Sequence, residues 1–189
     1  MIDTEFNRKV FIEIAEKNIE REGLQDLLWY LQTSDFFDAP CSTKYHLSEK
    51  GGLCQHSLNV FHALCSFSRQ YEWENRNKET LTIVSLFHDL CKIDTYKEAL
   101  KWSKNENNEW VQLPYYTFNE DFPYGHSEKS VFLITQYIHL SPYEAQAING
   151  HMGFSDIRGA NLIGNIFTKN KLAVLLHFAD ITATYFMED

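Results

Sequence analysis

His56, His88-Asp89, His126, His151 and Asp180 follow one another along a 189-residue chain. They are the side chains best suited to chemistry. Neutral imidazole and carboxylate both bind divalent cations, and mixed His/carboxylate sets suit Mn, Fe, Co, Ni or Zn more than a pure Mg site. The adjacent pair His88-Asp89 is the most informative feature. It stands inside the apolar run from Leu81 to Ile93, where ionisable groups are rare unless paired or bound to metal. A metal held there would lower the pKa of a water and deliver hydroxide at neutral pH, and a second metal would share charge developing on a phosphoryl group. Asp89 has two usable oxygens and is the natural bridge between two metals. Lys92, three residues on, reads as a solvated cation favourable at a helix C-terminus.

Helices must position these groups, because helical periodicity dominates the chain. Thr4 is expected to cap a first helix running to about residue 20, followed by a short one from about 24 to 31. The polar segment 34–52, broken by Pro40 and Gly51-Gly52, reads as irregular. A helix from about 53 to 70 carries His56 near its start, and one from about 79 to 93 carries His88-Asp89 near its end. Residues 96–102 and 109–113 read as two short strands around a polar turn. Helices resume at about 127–139 and 141–149, the latter with Pro142 at a favourable first position. His151 lies in a turn between Gly150 and Gly153, and a last helix over about 171–186 holds Asp180 at its middle. The expected fold is mostly α, with the proposed ligands drawn from separate helices of a bundle and one small β-hairpin inserted.

The chain is of a size for one domain with a sizeable core, residues 1–50 contributing N-terminal helices and a loop and 51–186 the metal-binding core. Net charge is −9, which argues against a broad grip on duplex nucleic acid. A small phosphate ester stays open as a ligand, because a bound metal reverses the local field. Cys41, Cys54, Cys65 and Cys91 contain no Cys-x-x-Cys and read as reduced thiols. Charges near the N-terminus and the lack of a long apolar stretch point to a cytoplasmic protein away from membranes.

The ligand order resembles the HD-domain superfamily of metal-dependent phosphohydrolases. The resemblance is carried by His56 after Gly-Gly, by His88-Asp89 with Lys92, and by Asp180 in Leu-Leu-His-Phe-Ala-Asp, and it spans about residues 51–186. It implies an HD-like helical bundle, one divalent metal held by His56, His88, Asp89 and Asp180, a nucleotide or other small phosphorylated substrate, and Lys92 as a contact for its phosphate. His126 and His151 resemble the two extra histidines of binuclear members. The same order occurs in a branch of di-iron oxygenases, and a non-catalytic module that keeps metal or senses a nucleotide is a further alternative, as is a nuclease for short single strands. The Gly-Tyr-Pro tripeptide of the cyclic-dinucleotide branch is absent, which places that substrate behind the others.

Each residue also has a blander reading. His177 shares a face with Asp180 and suits support or packing rather than ligation. His46, His62 and His139 read as ordinary histidines. Glu128 and Lys129 read as a wet face. Trp102, Trp110, Tyr115, Tyr116 and Phe118 read first as a hairpin packed on the helices, and second as a lid stacking on a base.

Overall fold

A computed structural model describes residues 2–71, 77–155 and 159–188. The described residues form helices α1 (Thr4–Asn18), α2 (Leu24–Thr33), α3 (Gly52–Gln70) and α4 (Lys78–Phe87), a hairpin of β1 (Tyr96–Lys104) and β2 (Trp110–Phe118), then α5 (His126–Thr135), α6 (Pro142–Asn149), α7 (Ala160–Lys169) and α8 (Lys171–Thr182). The mostly α reading with one antiparallel hairpin is the observed architecture. α3 is the central helix and packs on α1, α4 and α8, while α6 closes the bundle against α4, α5 and α8. Its burial is nearly all-round at the start, from Leu53 and Cys54 through His56 to Phe61 and Leu64. Phe11, Leu27, Leu53, Leu64, Ile83, Leu86, Phe87, Ile148 and Leu176 belong to one apolar cluster. Each such side chain contributes roughly 1.5–3 kcal/mol on burial.

Several boundaries differ from expectation for local reasons. Asp3, not Thr4, caps α1, its carboxylate accepting from the Phe6 amide at 3.0 Å. α4 ends at Phe87 rather than near Ile93, because Asp89 leaves the helical region (φ −109°, ψ 23°) and the chain tightens into a 3-10 turn over Leu90–Lys92. α5 stops at Thr135, short of His139. α7 was not expected from the sequence. Its segment contains Gly164 and polar residues, but Ile163 and Ile166 are buried one turn apart and anchor it. α8 gives way at Ala183–Met187 to a π-type turn that leads to the buried Glu188.

The hairpin runs longer than expected, pairing Tyr96 with Phe118 through Lys104 with Trp110. Nor does it pack on the helices as expected. Trp102 and Trp110 are 65% and 64% exposed, Phe118 is equally bare, and the two strands contact chiefly each other.

One polar knot ties the turn between α1 and α2 to α4 and α6. Ser141 caps α6 in a capping box with Glu144, behind Pro142 at the first helical position, as its sequence leads one to expect. The buried Glu144 carboxylate also accepts two 2.7 Å bonds from the Arg21 guanidinium and one from Thr80 Oγ1. Burial alone would raise its pKa, but the bonds from Arg21, Thr80 and Ser141 hold it down at about 2. A carboxyl depressed in the fold stabilises fully above its unfolded value of 4.5 and loses that contribution as pH falls toward 2. The shift corresponds to roughly 3 kcal/mol. Glu144→Gln should therefore melt about 10 °C lower at neutral pH, and thermal melts from pH 5 to 2 should show a shallower acid loss than the wild type.

Candidate metal centre

Asp89 organises the centre. Its side chain is 4% exposed, and its two oxygens face two groups of histidines. Oδ2 lies 3.7 Å from His56 Nε2 and 3.5 Å from His88 Nε2. Oδ1 lies 2.9 Å from His126 Nε2 and 3.4 Å from His151 Nε2. Asp180 Oδ1 joins the first group, 3.2 Å from His56 Nε2. The rings stand close, with centroids 5.3 Å apart for His56 and His88, 4.9 Å for His88 and His151, and 5.5 Å for His126 and His151. All six residues singled out in the sequence thus come together from α3, the α4 end, α5, the α6 end and α8.

The chain folds locally to aim them. Gly51 takes φ 82°, and a Cβ on Gly52 would run into Leu47 O and meet the Cys41 amide at 2.9 Å. Only glycine lets the 34–52 loop lie this close to the start of α3. His88 follows α4 and His151 follows α6, and each ring takes a carbonyl from the last turn of its helix, three residues back. His88 Nδ1 donates to Ser85 O at 2.8 Å, and His151 Nδ1 to Ile148 O at 2.7 Å. A carbonyl only accepts, so both Nδ1 atoms carry the proton. When neutral, both rings present an Nε2 lone pair to the centre. His56 is set the same way by a carboxylate, with Nδ1 2.9 Å from Glu188 Oε1.

Such convergence suits a cation. Nε2 of His88 is buried without a hydrogen-bond partner. Burial, with the other histidines close by, lowers the pKa of His88 to about 4, so the ring is neutral at pH 7. A buried lone pair aimed at carboxylate oxygens is costly unless something positive lies between them. Three subsets of the six, or of their neighbours, have ligand atoms within 4.8 Å of one another: His56, His88 and Asp180; His88, Asp89 and His151; and Asp89, Cys91 and His126. The buried cluster could hold a metal ion on this chemistry, and the orphaned His88 nitrogen is its clearest mark.

No family model, curated protein or solved structure matches the chain. The case for a metal therefore rests on the cluster itself.

Several neighbours were misread or missed in the sequence. Lys92 is not a solvated cap, for its ammonium donates to Asp89 Oδ2 at 2.7 Å and to Cys41 Sγ at 3.3 Å. Burial would lower the Lys92 pKa, but Asp89 and Cys41 hold it well above the ordinary value. His46 is not an ordinary surface histidine, because its Nε2 is 3.3 Å from Cys41 Sγ and 4.0 Å from Glu188 Oε2. Cys41, His46 and His56 form a fourth group of potential ligands beside the first three. Burial would raise the Cys41 thiol, but His56, Lys92 and His46 bring it down to about 6. Cys91 touches the His126 ring at 3.3 Å, whereas burial pushes its pKa up and keeps it a thiol. Lys129 is buried rather than on a wet face, bound to Glu120 at 2.8 Å. His177 supports, as expected, its Nδ1 donating to His151 O at 2.7 Å. Contact spacing in three dimensions carried the signals for Cys41, His46, Cys91 and Glu188. None of them stands in a motif.

Exposure within the cluster is confined to two of the six residues. The His126 side chain is 37% exposed and Asp180 19%, while His56, His88 and His151 are closed off. The pKa of His56 is pulled down by burial yet raised well above the ordinary range by Cys41, Asp180 and Glu188, and that of His151 is raised chiefly by Asp89. Both rings must shed a proton to bind metal, so affinity should strengthen as pH rises through neutrality. After chelator treatment, Mn²⁺ or Co²⁺ at 100-fold its Kd should stabilise the protein by about 2.7 kcal/mol. Differential scanning fluorimetry should show this shift growing from pH 6 to 8 and vanishing in His88→Ala.

Proposed function

We propose that this chain is a metal-dependent phosphohydrolase of the HD type, acting on a nucleotide or another small phosphorylated compound. The observation that carries the reading is the split of Asp89 between two histidine groups beside a fixed ammonium. His56, His88, Asp89 and Asp180 would hold one divalent ion, of Mn, Fe, Co, Ni, Zn or Mg. Asp89, His126 and His151 would hold a second. Bound metal supplies a water of lowered pKa and withdraws charge from phosphoryl oxygens.

The remaining work falls to the chain. Lys92 is costly beside a metal unless an anion completes the site, which favours a phosphoryl group over a neutral substrate. It would leave Cys41 and turn toward the phosphate while still held by Asp89. His126, the most exposed member, marks the side from which a substrate would enter. The buried carbonyls behind His88 and His151 keep their Nε2 lone pairs inward without rearrangement. Burial of the three inner histidines excludes bulk water and strengthens each charge interaction. The four cysteines are free, and no helix among the described residues is long and apolar enough to cross a membrane. Both facts suit a cytoplasmic setting.

The same six residues would also serve a di-iron oxygenase. Lys92 favours hydrolysis, and metal identity separates the two. Elemental analysis of protein purified without added metal should give close to two metals per chain, falling toward one in His126→Ala. Phosphate release from a panel of nucleoside mono-, di- and triphosphates should be abolished by chelation and by Asp89→Ala, whose circular dichroism stays helical. Lys92→Gln should lower kcat about 100-fold with metal content retained. Full metal and turnover in Asp89→Ala would overturn the assignment, and iron with oxygen consumption in place of phosphate release would move it to the oxygenase.

A further inference from the structure

Behind His56 runs a hydrogen-bonded chain that the hydrolytic reading does not use. His56 Nδ1 meets the Glu188 carboxylate at 2.9 and 3.1 Å. Asn59 Nδ2 donates to Glu188 Oε1 at 3.0 Å, Gln55 Nε2 to Asn59 Oδ1 at 2.9 Å, and Asn7 Nδ2 to Gln55 Oε1 at 2.8 Å. The direction of every bond follows from the carboxylate outward. Ionised Glu188 can only accept, so Asn59 must turn its amide nitrogen inward and its oxygen outward. Gln55 must then do the same, and Asn7 after it. The last links line a cleft of about 650 Å³ that Glu188, Asn59, Gln55 and Asn7 share with His62.

The three inner histidines differ in what holds Nδ1. His88 and His151 lean on neutral carbonyls. His56 leans on a charged carboxylate whose side chain is fully buried. A carboxylate draws the Nδ1 proton toward itself and leaves more electron density at Nε2, which raises the basicity of a metal ligand.

We propose that Glu188, steered by Asn59, Gln55 and Asn7, is a positioning residue that locks His56 with Nε2 toward the metal and makes it the strongest imidazole donor of the centre. This rests on the metal reading given above. Gln55, His56 and Asn59 lie together on α3, Asn7 on α1 and Glu188 beyond α8, so the device also fixes where three segments meet. Glu188 stands behind the ring and is in none of the groups of ligand atoms that converge within 4.8 Å of one another.

The test compares wild type with Glu188→Gln and Asn59→Leu. Glu188→Gln preserves volume and one oxygen able to accept from both His56 and Asn59, and it removes the charge and the second acceptor. Two readouts are taken on the full chain. One is the Kd for Mn²⁺ or Co²⁺ by competition with a fluorescent chelator. The other is the downfield proton resonance of His56 Nδ1–H in the metal-free protein, assigned by its loss in His56→Gln. We expect metal binding about 10–100-fold weaker in Glu188→Gln, a smaller loss in Asn59→Leu, and an upfield shift of the resonance in both, with folding retained by circular dichroism. Affinity within twofold of wild type with the resonance unmoved would overturn the proposal. Should Glu188→Gln fail to fold, Asn59→Leu decides by the same two criteria. Should wild type bind neither metal, the hydrolase reading falls and the resonance alone decides, an unmoved signal in Glu188→Gln overturning the role of Glu188.

Discussion

A single desolvated carboxylate governs this molecule. Asp89 is nearly buried, and burial raises the cost of its charge, yet Lys92, His88, His126 and His151 hold its pKa well below the ordinary carboxylate range. Everything around it follows from the need to keep that charge satisfied. Lys92 takes one face of Oδ2, while His126 and His151 approach Oδ1 at 2.9 and 3.4 Å. Removing the ammonium or either of these rings would leave a buried charge short of partners, an error worth several kcal/mol.

The bundle meets this need with its helix ends. The last carbonyls of an α-helix have no amide partner within the helix. α4 and α6 both stop just before a histidine whose ring turns back onto a carbonyl of the last turn, so that each helix end becomes a device for setting a tautomer. After His88 the backbone leaves the helical region at Asp89, and across the 3-10 turn that follows the Lys92 ammonium meets the Asp89 carboxylate at 2.7 Å. Gly153 continues the same logic after α6. It has φ +59°, and a Cβ there would run into the His177 ring, which in turn holds His151 O.

The sequence made the inner part of this centre legible because its residues violate the apolar pattern around them. His88-Asp89 in a run of leucines, Asp180 in Leu-Leu-His-Phe-Ala-Asp and His56 after Gly51-Gly52 each stand out locally. Glu188 could not be seen in that way. It is 132 residues from His56 and follows a π-type turn that periodicity read as more helix. Cys41 and His46 were hidden for a different reason, since an irregular loop has no period from which a deviation could be noticed. The hairpin misled in the opposite sense. Its aromatic content suggested packing, but a two-stranded ribbon with no helix laid against it leaves Trp102 and Trp110 in solvent.

The centre also bears on how the whole chain is held. α3 contributes Gln55, His56 and Asn59 to polar contacts while burying Leu53, Leu58, Val60 and Leu64 in the core. Polar and apolar packing therefore share one helix, and the lone pair on His88 that lacks a partner weakens the fold wherever no cation satisfies it. Binding free energy at such a centre is spent partly on folding. Two outer segments join the cluster while also anchored in the core. The 34–52 loop reaches it by Cys41 and His46 and buries Phe36, Phe37 and Ala39. The turn beyond α8 reaches it by Glu188 and buries Ala183. The 3-10 turn after α4 is tied down by Thr95 and Ser130. The two outer segments meet at His56, where the His46 ring and the Glu188 carboxylate both approach it.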